Sequence, residues 1–228
     1  MPAQTGKAVE PVETYWSLQL LSLMQEMAAE SSNAVLMLLA DIGQLETERR
    51  YPDAGLLFGG GHWRAYYHCH EAVSMHASEH GHFHLFTDIG DRAWAHVAGL
   101  SIDAEGQPLQ WFAVNRWVTD GPWLPCQSFL EQLRFITANE AANPVGSWLG
   151  GLLQICRGDL FDLLSARDQR LEQFSKKGAL AEALENREIY LLATSAIELQ
   201  STLEKHLLCI PADVLASARI NNNEHKSD

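Results

Sequence analysis

Cysteine is scarce in this chain of 228 residues, which carries only Cys69, Cys126, Cys156 and Cys209. No two of them form a CxxC pair, and zinc fingers need closely paired cysteines. A disulfide framework is typical of much shorter secreted domains. The spacing therefore excludes a zinc finger and argues against a disulfide scaffold. We expect reduced thiols and a cytoplasmic location.

Positive charge and long apolar runs are also scarce. Sixteen Lys and Arg stand against 29 Asp and Glu, for a net charge of −13. This balance argues against nucleic acid or an anionic membrane as a partner. The longest strongly apolar run, AVLMLLA, is far shorter than the roughly 20 residues of a membrane span. The N-terminus has neither a basic nor an apolar segment, which predicts no signal peptide.

Common catalytic motifs are missing as well. The sequence contains no GxSxG, Walker, HExxH or dinucleotide-binding pattern. The glycines of GLLFGGGHW are followed by a strand-like segment, whereas a phosphate-binding loop needs a helix there. The chemistry must therefore be sought in other residues.

Helical periodicity is present at both ends of the chain. Apolar residues recur at helical spacing from Thr14 to Glu30. The segment Ser31-Ser32-Asn33 predicts a break and the N-cap of a second helix that runs to about Arg49. Three later segments have the same periodicity: Ser128–Thr137, Gly146–Gln173 and Gly178–Leu208. We predict one domain over residues 13–220, helical over about 127–220, with disordered ends at 1–12 and 221–228.

The middle of the chain alternates as strands do. Four such segments run over residues 63–70, 80–87, 93–102 and 109–118. Residues 103–107 suit a hairpin loop with Gly106 in the left-handed conformation. The pattern predicts an α+β fold, in which helices flank an antiparallel meander of about four strands within residues 62–118.

Histidines are concentrated in the stretch HCHEAVSMHASEHGHFHLF, which begins at His68. If the first two strands pair across Glu71–Glu79 with position numbers summing to 150, His68 faces His82, His70 faces His80 and Tyr66 faces His84. One face of the sheet then holds the imidazoles. The other face holds apolar side chains that can pack on helices: Trp63, Ala65, Tyr67, Cys69, Phe83 and Leu85.

Converging imidazoles are ligands for transition metals. Neutral imidazole offers one nitrogen lone pair, and two to four of them with a carboxylate suit iron, copper or zinc. The sequence therefore predicts a metal site, and its candidate ligands are His68, His70, His80, His82, His84 and Glu79. Glu71 is a further carboxylate that could complete or orient the shell.

Two other interpretations remain open for this histidine-rich face. It can be a solvated or self-hydrogen-bonded surface, or a metal-free pocket in which His and Tyr bind an organic acid. Tyr66 can then hydrogen-bond a ligand or cap the histidines, and Arg116 can clamp a carboxylate or pair with Asp91 or Asp120.

The remaining histidines have simpler expected roles and positions. We expect His62 and His96 to be structural, His206 and His225 to lie at the surface, and His76 to lie in the connecting loop.

Two family resemblances arise at these residues. HCH followed by a glutamate and a later histidine is similar to the cupin metal motif, which implies one metal held by two histidines, a glutamate and a further histidine. The combination of YYHCH, EHGHFHLF, SIDAEGQP and FAVNRWVT resembles a small bacterial family of uncharacterised proteins over about residues 50–120. That resemblance implies a domain and no particular activity.

The function predicted from these residues is transition-metal binding. A metal-dependent enzyme would use the ion to activate oxygen or water. A storage, delivery or sensing protein would use the same histidines without an open coordination position. The expected partner is a metal ion or a small molecule, and a homodimer through the C-terminal helices is a further expectation.

Overall fold

Six β-strands form one antiparallel sheet in the computed structural model, which describes residues 11–70, 75–137, 143–175 and 179–208. The strands are β1 (Tyr51–Phe58), β2 (Trp63–His68), β3 (Gly81–Asp88), β4 (Trp94–Ile102), β5 (Pro108–Val114) and β6 (Leu191–Ala196). They lie in sequential order, each paired with the next. Because helices flank these strands along the chain, the predicted α+β class is confirmed.

Helices precede, interrupt and follow the strands in the chain, and some of them pack on the core face of the sheet. They are α1 (Pro11–Ala29), α2 (Ala34–Leu38), α3 (Arg116–Thr119), α4 (Cys126–Gln132), α5 (Pro144–Ile155), α6 (Arg157–Ser175), α7 (Leu180–Glu185) and α8 (Leu199–Leu208), with a 3₁₀ turn at Leu133–Phe135. Helix α5 packs on β1 and on α1, and α6 packs on β5 and β6. Large buried side chains such as Trp63, Trp111 and Leu149 join the sheet to the helices in one core.

The β4–β5 hairpin is tied to α2 by the predicted cap and turn. Asn33 caps α2, because its Oδ1 accepts the N–H groups of Val35 and Leu36 at 3.0 and 2.9 Å. Its Nδ2 donates to the carbonyl of Glu105 in the hairpin loop at 3.1 Å. Gly106 has φ +81°, as predicted, and a Cβ there would lie 2.5 Å from the Asn33 side chain.

The prediction of about four strands is wrong, because β1 and β6 were missed. Strand β1 contains Pro52 and Gly55, which normally interrupt strands, and its pairing with β2 is irregular between Tyr51 and Leu56. Strand β6 lies in a segment with apolar residues at helical spacing. It becomes a strand because it pairs with β5, from Gln110↔Ala196 to Val114↔Leu191, a contact that local periodicity cannot reveal.

Three predicted helices have different bounds. The second helix ends at Leu38, well before Arg49. The segment from residue 146 to 173 is two helices, because α5 ends at Ile155 and α6 begins at Arg157. The segment from 178 to 208 holds α7, β6 and α8 in place of one long helix. The homodimer that this long helix suggested remains a prediction.

His206 is buried, although the sequence predicted a surface position. It is 5% exposed, and its Nδ1 lies 2.8 Å from the hydroxyl of the fully buried Ser17. This contact joins α8 to α1. The role of His206 is therefore structural, and it depends on Ser17, which is distant in the sequence.

Several sequence predictions lie outside the described residues. These are the tail at 221–228 with His225, most of the N-terminal segment 1–12, and Glu71. Helix α1 begins at Pro11, and the single domain over 13–220 remains a prediction. Within the described ranges, no helix combines the length and the apolar character needed to cross a lipid bilayer.

Candidate metal centre

His68 and His82 lie directly opposite each other on β2 and β3. The same register sets Tyr66 opposite His84, so all four side chains share one face of the sheet. For these two pairs the register predicted from the sequence is confirmed. Five side chains predicted for the other face lie in the core: Trp63, Ala65, Tyr67, Phe83 and Leu85.

A β-bulge in β4 brings a further histidine to this face. Leu85 pairs with Ala98 but Phe86 pairs with His96, so Val97 is an extra residue. Both Val97 and Ala98 point into the core. Beyond the bulge the alternation is reversed, and His96 joins the face that carries His84. Regular alternation would have placed it on the opposite face.

We call His68, His70, His82, His84 and His96 the imidazole cluster. Neighbouring ring centroids are 4.5 Å apart for His70–His68, 4.4 Å for His68–His82, and 5.0 Å for both His82–His84 and His84–His96. The cluster runs from the surface inward. The side chain of His70 is 17% exposed, while His84 as a residue is 3% exposed.

Three members of the cluster are placed to share one metal ion. One ligand nitrogen each from His68, His82 and His84 lies within 4.8 Å of the other two. Because imidazole nitrogens bind zinc at about 2.0–2.1 Å, two ligands of one ion lie at most about 4.2 Å apart, so small side-chain shifts would suffice. This triad could therefore hold a transition metal.

Glu79 orients His82 within the triad. Its Oε1 lies 2.6 Å from His82 Nδ1, its Oε2 accepts the N–H of Met75 at 3.2 Å, and the His82 and Glu79 side chains are only 1% and 2% exposed. A carboxylate oxygen can only accept, so His82 Nδ1 carries the hydrogen. In the neutral ring the free lone pair is then on Nε2, which faces His68 Nε2 at 2.7 Å.

His84 has an analogous partner in His96. His84 Nδ1 lies 2.9 Å from His96 Nε2 in a buried contact. If His84 donates through Nδ1, its own Nε2 carries the free lone pair, so one assignment of hydrogens leaves both His82 and His84 ready to bind a metal. Metal-binding histidines usually have such an acceptor behind them.

Phe112 and Ser101 border the triad on the neighbouring strands. The Phe112 ring packs edge-on against His82 and His84, at centroid distances of 5.1 and 5.8 Å. It fits because Gly99, directly opposite on β4, has no side chain. Ser101 lies opposite His82 and is fully buried. Its hydroxyl has no hydrogen-bond partner among the described residues.

Burial keeps these histidines in the neutral form that binds metals. Removal from water, together with the nearby His82, His70 and Arg50, lowers the pKa of His68 to about 3. Burial and then Arg167 and His82 lower the pKa of His96 to about 3. The pKa of His84 lies well below its ordinary value, mainly because the ring is buried and secondly because of His96. The charged form is unfavourable in all three.

Two of the predicted ligands, His80 and His70, lie outside the triad. His80 precedes β3, and its Nδ1 lies 2.7 Å from the hydroxyl of Tyr67, whose ring belongs to the core face. The structure therefore does not bring His80 to the triad. His70 lies at the outer end of the cluster, where its Nδ1 is hydrogen-bonded to the carboxylate of Glu48.

Tyr66 and Arg116 were predicted to contact a small ligand. Tyr66 is buried beside His84, with ring centroids 5.3 Å apart, and the Arg50 guanidinium lies over its ring at 4.7 Å. Burial raises the pKa of the Tyr66 hydroxyl. Arg116 forms an ion pair with Glu185 of α7, rather than with Asp91 or Asp120.

Sequence reasoning missed Glu48, Ser101 and the β-bulge that accompanies His96. Glu48 has no motif around it and reaches His70 because its backbone N–H donates to the carbonyl of Cys69 at 2.9 Å. Ser101 could have been found by extending the register to β4. The bulge could not, because it is an irregularity of strand pairing that alternation along the chain does not show.

The chain belongs to the family described as Domain of unknown function (DUF6969), which matches residues 16–197. Membership of an uncharacterised family, predicted from the sequence, is thereby confirmed. No curated protein and no solved structure matches the chain, and the similarity to the cupin metal motif finds no support among these comparisons.

Proposed function

We propose that this member of an uncharacterised family binds one transition metal ion through His68, His82 and His84. The observation that carries the proposal is the buried pair of Glu79 and His82, whose contact of 2.6 Å turns the free lone pair of His82 toward the other two rings. A carboxylate behind a histidine is the usual support of a metal ligand. A solvated histidine face would have no need of a buried carboxylate.

The type of donor supports iron, copper or zinc as the ion. Imidazole nitrogen is a borderline donor that these ions accept, while calcium and magnesium prefer oxygen. The low pKa values of His68 and His84 favour the neutral rings that ligation requires. The buried position of the triad also favours a bound ion over one that exchanges freely with solvent.

Three protein ligands leave a coordination position free, which supports a metal-dependent enzyme. Catalytic zinc sites typically have three protein ligands and a water, whereas structural sites are closed by four. The hydroxyl of Ser101, buried opposite His82, offers a hydrogen bond to a small molecule at such a position. The reaction class that fits is activation of oxygen or water by the ion.

A non-catalytic protein that stores, delivers or senses a metal is the second candidate. The observation in its favour is His70, whose ring centroid lies 4.5 Å from that of His68 and 5.2 Å from that of His82. If His70 closed the shell as a fourth ligand, no position would remain for a substrate. The proposed partners are thus a metal ion and, in the first candidate, a small molecule.

The first test is the metal content of untagged protein. We expect near one equivalent of iron, copper or zinc per chain by mass spectrometry, and much less in His84→Asn. Less than about a tenth of an equivalent in the wild type, with no uptake on reconstitution, would exclude these metals as the natural ligand.

The second test separates the two candidates. Azide is added to the Co²⁺-substituted protein, and the visible spectrum is recorded. A shift that saturates indicates an exchangeable position and supports the enzyme; an unchanged spectrum indicates a closed shell and supports storage, delivery or sensing. The variant His70→Gln is the control, because it opens a position only if His70 is a ligand.

A further inference from the structure

Glu48, His68 and His70 form a second group of possible metal ligands at the outer end of the imidazole cluster. One ligand atom from each lies within 4.8 Å of the other two. This group shares His68 with the triad of His68, His82 and His84. The Glu48 side chain is 67% exposed, so this end of the cluster is open to solvent.

The two groups differ in access. The triad is largely enclosed, since His82 is fully buried and His84 is 3% exposed. A metal ion arrives from solvent with its water shell and must exchange those waters for protein ligands one after another. The outer group offers a carboxylate and an imidazole where the ion is still hydrated, and His68 lies between the two positions.

We propose that Glu48, His68 and His70 form an entry position from which the ion passes to His68, His82 and His84. This inference rests on the proposed function, because it concerns how the same centre is filled. The ion first binds Glu48 and His70 and loses part of its water. His68 then remains a ligand while His82 and His84 replace the outer pair, so the ion is held by the protein throughout.

The shared histidine makes the two positions mutually exclusive. A neutral imidazole has one free lone pair, so His68 serves one ion at a time. The expected stoichiometry is therefore one ion per chain, although the cluster contains five histidines. Glu48 is held in place from its backbone: it has φ +64°, and its N–H donates to the carbonyl of Cys69, which lies between His68 and His70.

The experiment measures the rate of Co²⁺ uptake and the equilibrium affinity for Co²⁺. The visible absorption of the bound ion is the signal. In Glu48→Gln we expect uptake by the full chain to be about tenfold slower, because a carboxylate that concentrates cations at the entrance is lost. The equilibrium affinity should be unchanged, because Glu48 is not a ligand of the filled triad. Release to a chelator should therefore slow by the same factor as uptake.

The matched control is Glu46→Gln, which removes the same charge two positions before Glu48. The Glu46 side chain pairs with Arg49. Its uptake rate should equal that of the wild type. Equal rates in Glu48→Gln and the wild type would overturn the entry position and leave the proposed function intact. A loss of affinity in Glu48→Gln as large as in His84→Asn would also overturn it, since Glu48 would then be a permanent ligand.

Stoichiometry gives the last criterion. Two equivalents of Co²⁺ bound tightly per chain would contradict the exclusive use of His68. If the wild type binds no Co²⁺ at all, the proposed function fails first, and the entry position fails with it.

Discussion

At the scale of single residues, the role of a histidine is decided by the atom that faces it. His80 and His82 are two positions apart, yet His80 faces the hydroxyl of Tyr67, while His82 faces Glu79 on one side and His68 on the other. Strand β3 begins at Gly81, so the alternation that would align the two histidines does not extend to His80. The same residue type therefore has two different roles within one hexapeptide.

This difference leads to a first prediction. His82→Asn should abolish Co²⁺ binding, and the same substitution at His80 should leave it unchanged, because only His82 belongs to the triad. Titration followed by visible absorption measures both, with urea unfolding as a check that each variant folds. Equal losses in the two variants would mean that the histidines bind metal without a defined site, as a purification tag does.

A second prediction concerns the residue behind the ligand. Glu79→Gln keeps the shape of the side chain but removes the charge that holds the hydrogen on His82 Nδ1. We expect metal affinity to weaken by about 10–100-fold, the usual effect of changing such a support. Competition with a chelator of known affinity measures the change. The exposed Glu105→Gln serves as the control, and equal affinities for both variants would contradict the orienting role of Glu79.

At the scale of elements, β4 shapes the surroundings of the triad, whose residues lie on β2 and β3. Its bulge turns His96 toward His84, and Gly99 leaves room for the ring of Phe112. A Cβ at position 99 would lie 2.0 Å from the nearest atom of that ring. The packing of Phe112 on His82 and His84 therefore depends on the absence of a side chain at Gly99.

Gly99→Ala tests this dependence. We expect it to lower the free energy of unfolding by about 1–3 kcal/mol or more, because overpacking forces Phe112 out of place. Urea denaturation measures the loss. Combined with Phe112→Leu, the substitution should cost less than the sum of the two single changes, since the smaller side chain relieves the clash. Additive losses would show that residues 99 and 112 act independently.

At the scale of the whole molecule, the imidazole cluster makes stability depend on pH. The pKa of His68 and that of His96 are each lowered to about 3, and that of His84 lies well below its ordinary value. In the unfolded chain histidine has a pKa of about 6.5. Below that pH the unfolded chain therefore binds protons that the folded protein does not.

The direction in which stability changes with pH follows from this difference in bound protons. For the metal-free protein, the contribution of these histidines to stability is fully present above about pH 6.5 and is lost as the pH falls toward about 3. Each fully suppressed histidine contributes a slope of about 1.4 kcal/mol per pH unit. Urea unfolding at about pH 7.5 and 5.5 measures it, and His96→Gln should reduce the slope. Equal free energies of unfolding at both pH values would contradict the prediction.

Bound metal should add to this stability. An ion that binds only the folded chain stabilises it by about 2.7 kcal/mol at a hundredfold excess over the dissociation constant. For a chain of this size the Tm should rise by about 5–11 °C. Because protons compete for the ligands, the increment should be present at about pH 7.5 and smaller at about pH 5.5. Melting curves with metal and after chelation that coincide at both pH values would contradict metal binding.

The sequence by itself determined the α+β class, the Gly106 turn, an N-cap within Ser31-Ser32-Asn33 and the shared face of His68, His82 and His84. These features depend on residues close together in the chain, since alternation along two neighbouring strands and a short connection between them decide the register.

Only the tertiary structure decided the remainder of the site. The bulge beside His96, the hydrogen bond of His80 to Tyr67 and the approach of Glu48 to His70 are contacts that alternation along the strands does not reveal. The same holds for β6, which is a strand because β5 pairs with it. The physical reason is that local periodicity shows which side chains can share a face, while long-range packing decides which atoms meet there.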